Sequence, residues 1–196
     1  MGIGTQTKLT NTIEVSPDGT VTRYSFFESS ETVLRELITD LFTNHWSKIV
    51  FGPNYEGAIF EIQFQEAPKV TYSDGYLTAD LSAWHFHLCL GNTKACSSEE
   101  LRQKRPAARA ALYERKSSDG HGLRSWGIRL WNGYGEQMIT IWLPNAFLDD
   151  DRKKILKEPV WSKLALYYQL RHRLLDEPIP ADYQAAANQP LPENVA

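Results

Sequence analysis

Residues 58–90 read AIFEIQFQEAPKVTYSDGYLTADLSAWHFHLCL, two runs that alternate large apolar side chains with polar ones on either side of Ser73-Asp74-Gly75. Asp-Gly tolerates the positive φ angles of a tight turn, and alternation on both sides of it marks a hairpin. The expected structure is one long hairpin, 58–72 against 76–90, at the centre of the fold.

A two-residue turn pairs Ser73 with Tyr76. Continued unchanged, that register sets Phe64 against His85 and Glu61 against Leu88, mixing apolar with polar on each face. A bulge at Ala67-Pro68, where proline favours one, shifts the pairing by one residue and removes the conflict. Phe64, Ile62, Phe60 and Ala58 then face Trp84, Phe86, Leu88 and Leu90. The opposite face pairs Gln63 with His85, Glu61 with His87 and Ile59 with Cys89.

Directly opposite residues have Cβ atoms about 4.5–5.5 Å apart, so Glu61 and His87 are close enough to share an ion. Two histidines and a carboxylate with open positions are the usual set for non-haem Fe²⁺, and with water they suit catalytic Zn²⁺. The candidate metal ligands are His85, His87 and Glu61. His45 on the first helix is a further imidazole, and Glu56 another nearby carboxylate. His45 and Glu61 double as candidate catalytic acid–base groups, and Cys89 as a thiolate nucleophile beside His87. The alternative is that Glu61 and His87 form a buried hydrogen-bonded pair and the histidines are structural. His121 sits in a Ser-Ser-Asp-Gly-His-Gly loop that reads as solvated.

Outward from this hairpin, residues 12–27 alternate around Ser16-Pro17-Asp18-Gly19, a second hairpin. Ser29-Ser30 caps a stripe of Val33, Leu34, Leu37, Ile38, Leu41 and Phe42 at helical spacing. Ser97-x-x-Glu100 is a capping box opening a basic helix that Pro106 kinks or splits. Asn132-Gly133 turns a third hairpin, and Asp149-Asp150-Asp151 before Arg-Lys-Lys suits a helix N-terminus. A last helix begins at Pro159 and buries Val160, Leu164, Tyr167 and Leu174. The fold class is α+β, an antiparallel sheet of hairpins with the 58–90 hairpin central, packed with helices near 31–46, 98–116 and 159–176. The domain is expected to span 1–177, followed by a polar, proline-containing tail over 178–196, extended or disordered.

A hydrophobic fraction of 42 % over 196 residues suffices for one core without staples. The net charge of −3 gives no global attraction to nucleic acid or an anionic membrane, and neither partner is expected. Residues 99–116 carry six bases against three glutamates, and Arg124 and Arg129 follow, so a small anionic molecule is the expected partner. No apolar run reaches the roughly 18 residues of a membrane helix, the opening Met-Gly-Ile-Gly-Thr-Gln has no signal-peptide core, and the two cysteines lack Cys-x-x-Cys spacing. A cytoplasmic location is expected.

The segment HFHLCLG resembles the His-x-His zinc strand of animal-type carbonic anhydrases over that strand alone. The combination HWSKIVFGP, EGAIFEIQF and WHFHLCLG is similar to an uncharacterised bacterial, cyanobacterial-type family, across residues 30–145. That resemblance joins the three segments into one unit and implies no chemistry. Two functions follow as expectations. The first is a small metal-dependent enzyme, with Zn²⁺ or Fe²⁺ as cofactor and Arg124 or Arg129 anchoring an anionic substrate. The second is a non-catalytic ligand- or protein-binding scaffold.

Overall fold

The computed structural model describes residues 11–55, 57–118 and 124–189. Strand β1, Asn11–Val15, and β2, Val21–Phe27, form the first hairpin. Helix α1, Glu31–Asn44, starts where the Ser30 hydroxyl accepts from Val33 N, and Leu34, Leu37, Ile38, Leu41 and Phe42 of its stripe are fully buried. Then come β3, Val50–Gly52, β4, Asn54–Tyr55, β5, Ala58–Ile59, β6, Lys69–Ser73, β7, Tyr76–Asp80, and β8, His85–Cys89. Helix α2, Glu99–Lys104, precedes β9, Ala107–Lys116, β10, Arg124–Asn132, and β11, Gln137–Trp142. Helix α3, Ala165–Leu175, and the short α4, Tyr183–Ala187, complete the order.

The main sheet is antiparallel in the order β1-β2-β9-β10-β11-β3. Its inward face, with Leu112, Ile128, Leu130, Ile139 and Ile141, shares one core with α1, α3 and the apolar side of the small sheet β6-β7-β8. The outer face carries a second cluster, Tyr24, Ala111 and Tyr113, with Phe26, Trp131 and Trp142 packed against it. The α+β class read from the sequence is the class observed.

The central hairpin is different from the one expected. Asp74 and Gly75 both take positive φ, 46° and 81°, as a tight hairpin turn demands. The pairing from Ser73–Tyr76 runs regularly to Lys69–Asp80, with no bulge at Pro68. Both long runs are then interrupted. Ser82 turns left-handed at φ 66°, its N–H bonded to the Asp80 carboxylate at 3.1 Å, and β8 folds back on β7. On the other side β5 pairs with β4, Ile62 bridges Phe51, and Phe64 inserts beside Phe42 with ring centres 5.1 Å apart. His87 therefore faces Thr78, not Glu61, and Trp84, expected in the core, is 75 % exposed while Leu88 and Leu90 are buried.

Three further expectations are corrected. The basic segment 98–116 is helical only to Lys104; past Pro106, which lacks an N–H for the helix, it becomes β9, bonded to β2 on one side and β10 on the other. The Asp149 run makes a turn rather than a helix, with the Asp149 carboxylate accepting from Lys153 N at 2.8 Å and Lys154 N at 3.1 Å. Past Pro180 the chain is not wholly extended: Asp182 caps α4, and Tyr183 stacks on Tyr168 with ring centres 5.2 Å apart.

Candidate functional site

Strand β8 places His85, His87 and Cys89 on one side, as alternation requires, facing Asp80, Thr78 and Tyr76 of β7. His87 Nδ1 lies 2.8 Å from Thr78 Oγ1, and His85 Nδ1 lies 3.7 Å from Asp80 Oδ1. Both imidazoles are exposed. Cys89 is buried, its thiol donating to Gly91 O at 3.4 Å, and burial pushes its pKa up, which disfavours the thiolate a nucleophile needs. His45 caps the end of α1, its N–H bonded to Leu41 O and its ring Nδ1 buried without a partner. Glu61 lines a different cleft. The five candidates thus fall at three places, and among the described residues no three His, Cys, Asp or Glu side chains converge on one point. Glu56 and His121 lie outside the described residues.

The cleft at Glu61 holds about 390 Å³ and wraps the start of β10. From the inward face it takes Arg124 and Trp126, from the outer face Arg115 and Trp142, and from the loop after β11 it takes Arg152. Arg152 adopts φ 58°, a left-handed backbone that a side chain with Cβ rarely occupies and that concentrates at functional positions. Its guanidinium donates to the carbonyls of Lys48 at 2.9 Å and Trp142 at 3.3 Å. Burial lowers its pKa, while Tyr113 and Glu61 act the other way. A second cleft of about 360 Å³ adjoins the first and shares Asn145 and Arg152 with it.

The charge balance favours an anion. Glu114, buried at 4 % exposure, accepts from Arg23 Nη2 at 2.7 Å and also from Arg124, so one carboxylate serves two guanidiniums. Among the described residues Arg115 and Arg152 form no ion pair, against the single carboxylate of Glu61 on the cleft wall. Among the described residues five buried side-chain nitrogens have no hydrogen-bond partner: Arg23 Nε, Arg124 Nε, Trp126 Nε1, Arg129 Nε and His45 Nδ1. The first four are N–H donors, and two belong to residues lining the cleft.

Tyr113 is buried beside the cleft, paired with Gly127 of β10. Its ring crosses Gly127 so closely that a Cβ there would lie 2.6 Å from Tyr113 Cε1 and 2.4 Å from Ile141 O. Burial drives its hydroxyl up to about 12, so it stays a neutral phenol. Arg129 bonds to the Tyr24 hydroxyl and lies 4.8 Å from the Tyr113 ring centre. Of the anchors expected from sequence, Arg124 is on the cleft wall and Arg129 stands beside Tyr113, away from it. Arg152 was missed because its Asp-Asp-Asp-Arg-Lys-Lys setting reads as a helix start, and nothing local in the sequence announces the left-handed turn.

A family model matches residues 11–176, from the first strand to the end of α3. The chain belongs to DUF7676, a family of unknown function. The DUF7676 match takes in β8, the arginines of the cleft and Glu61, and stops before α4, whose Ala187 carbonyl accepts from Arg124. A search of curated proteins returns no match. Among the described residues no helix is long and apolar enough to cross a membrane.

Proposed function

We propose that this DUF7676 protein binds a small anionic molecule, a carboxylate or phosphate, in the cleft between Arg115, Arg124 and Arg152. The observation that carries this reading is the surplus of donors: among the described residues Arg115 and Arg152 form no ion pair, and Arg124 Nε and Trp126 Nε1 have no acceptor, where one carboxylate lines the wall. An unmet buried donor costs about 1–3 kcal/mol, and a ligand oxygen relieves it. Guanidinium forks match planar oxyanions in two-point contact, and Trp142 and Trp126 supply flat apolar walls for the remainder of the ligand. A volume of about 390 Å³ suits a metabolite-sized molecule. This is the ligand-binding reading of the sequence. Two buried free thiols support a reducing, cytoplasmic setting.

The test is a thermal-shift series with inorganic phosphate, sulfate and citrate, each matched in ionic strength by NaCl. Saturable stabilisation above the NaCl control supports the reading, because a ligand bound only by the folded state raises its melting temperature. Identical curves for all four salts defeat it.

A further inference from the structure

We propose that His85 and His87 together form a two-imidazole site for a borderline divalent transition-metal ion, presented through their Nε2 atoms on the exposed side of β8. The site is independent of the arginine cleft and does not use Glu61.

Three features of the geometry support it. The two residues are two apart on one strand, so their rings project from the same side, with centres 6.3 Å apart and planes inclined by only 26°. The His87 ring is held at Nδ1 by Thr78 Oγ1 at 2.8 Å, and the Asp80 carboxylate lies 3.7 Å from His85 Nδ1, one small rotation from a hydrogen bond. A metal-ligating histidine ordinarily has its second nitrogen engaged in this way by a hydroxyl, carboxylate or carbonyl, which fixes the tautomer and aims the free nitrogen. Metal binding selects the tautomer in which His87 Nδ1–H donates to Thr78 and His85 Nδ1–H faces the Asp80 carboxylate, leaving the Nε2 lone pairs for the ion. Finally, the rings are exposed, the His85 side chain by 58 %, so they are open to an ion from solvent.

With metal–nitrogen bonds of about 2.0–2.1 Å, one ion is reached by side-chain rotations that turn the two rings towards each other. No third His, Cys, Asp or Glu among the described residues joins them, so water fills the remaining positions. The site is a chelate with open coordination; Lys69 stands opposite Asp80 on the neighbouring strand, and Arg105 shares a pocket with His87. Borderline imidazole ligands select Zn²⁺, Ni²⁺ or Cu²⁺ over Mg²⁺ or Ca²⁺.

The experiment is calorimetric titration of the untagged full-length protein with ZnCl₂, with the imidazole resonances followed by NMR. The expected result is one saturable Zn²⁺ site, shifts confined to the His85 and His87 rings, and at least a tenfold loss of affinity in His87→Asn and in His85→Asn. Thr78→Val weakens binding by roughly tenfold through lost aim, since outer-shell partners of this kind are worth about 10–100-fold. A Cys89→Ser, Cys96→Ser protein retains the site. No saturable Zn²⁺ binding by the wild type, or unchanged affinity in the His85→Asn, His87→Asn double variant, overturns the proposal. The exposed positions of both rings make loss of folding an unlooked-for explanation, and circular dichroism of each variant checks it.

Discussion

Replacing Glu114 by Gln tests the charge surplus from within. The substitution preserves shape and one acceptor oxygen but removes the negative charge that Arg23 and Arg124 share. The carboxylate side chain is 5 % exposed and those of Arg23 and Arg124 are 20 % and 13 %, so solvent screening is slight. Removing one partner of a buried ion pair costs about 3–5 kcal/mol, because the remaining charge stays desolvated. For a chain of this size each kcal/mol moves the melting temperature by roughly 2–4 °C, which puts the expected fall at about 6–20 °C. Urea denaturation followed by tryptophan fluorescence gives the free energy directly. Two guanidiniums without a carboxylate form a stronger anion site, so phosphate restores more stability to Glu114→Gln than to wild type. A loss below about 1 kcal/mol, with no extra response to phosphate, refutes the claim that Glu114 is what holds these two cations.

The remaining expectations concern the fold around the site. Gly127→Ala forces a methyl against the Tyr113 ring and the Ile141 carbonyl, and a destabilisation of about 1–3 kcal/mol is expected in chemical denaturation. Trp84→Ala leaves stability within about 0.5 kcal/mol of wild type, whereas Leu88→Ala costs about 2–4 kcal/mol; a large loss at Trp84 contradicts the observed pairing of β7 with β8. Because burial raises the Cys89 pKa, little thiolate exists at pH 7.5, and Cys89 alkylates with iodoacetamide more slowly in the folded protein than in urea.

Much of the architecture is legible in the chain because the elements announce themselves locally. Ser30 and the Leu34-to-Phe42 stripe define α1, and Asp18-Gly19, Asp74-Gly75 and Asn132-Gly133 mark three turns that the backbone makes. The alternation over residues 76–90 changes phase, from Leu77, Ala79 and Leu81 to Trp84, Phe86 and Leu88, where Asp80 and Ser82 form a side-chain-to-backbone turn that reverses the chain; the phase change and the Asp-x-Ser spacing were the available signals. Losing that turn put Glu61 opposite His87 on paper and left Asp80 and Thr78, the partners the histidines have, out of view. The alanine- and arginine-rich 107–116 segment has helical propensity, but hydrogen bonding to strands on both sides overrides it. The arginine cleft draws on β9, β10, β11 and a loop far apart in sequence, so only its ingredients, the basic segment and Arg124, could be read beforehand.

The central claim, an anion held at the arginine cleft, meets its most direct test in the affinity of Arg152→Met for inorganic phosphate. Methionine keeps much of the apolar stem and removes the guanidinium, whose hydrogen bonds to a charged ligand are worth about 1.5–3 kcal/mol. Isothermal titration should show phosphate binding weakened by roughly 10- to 100-fold relative to wild type, with the Zn²⁺ titration unchanged. Equal phosphate affinity in the two proteins contradicts the account.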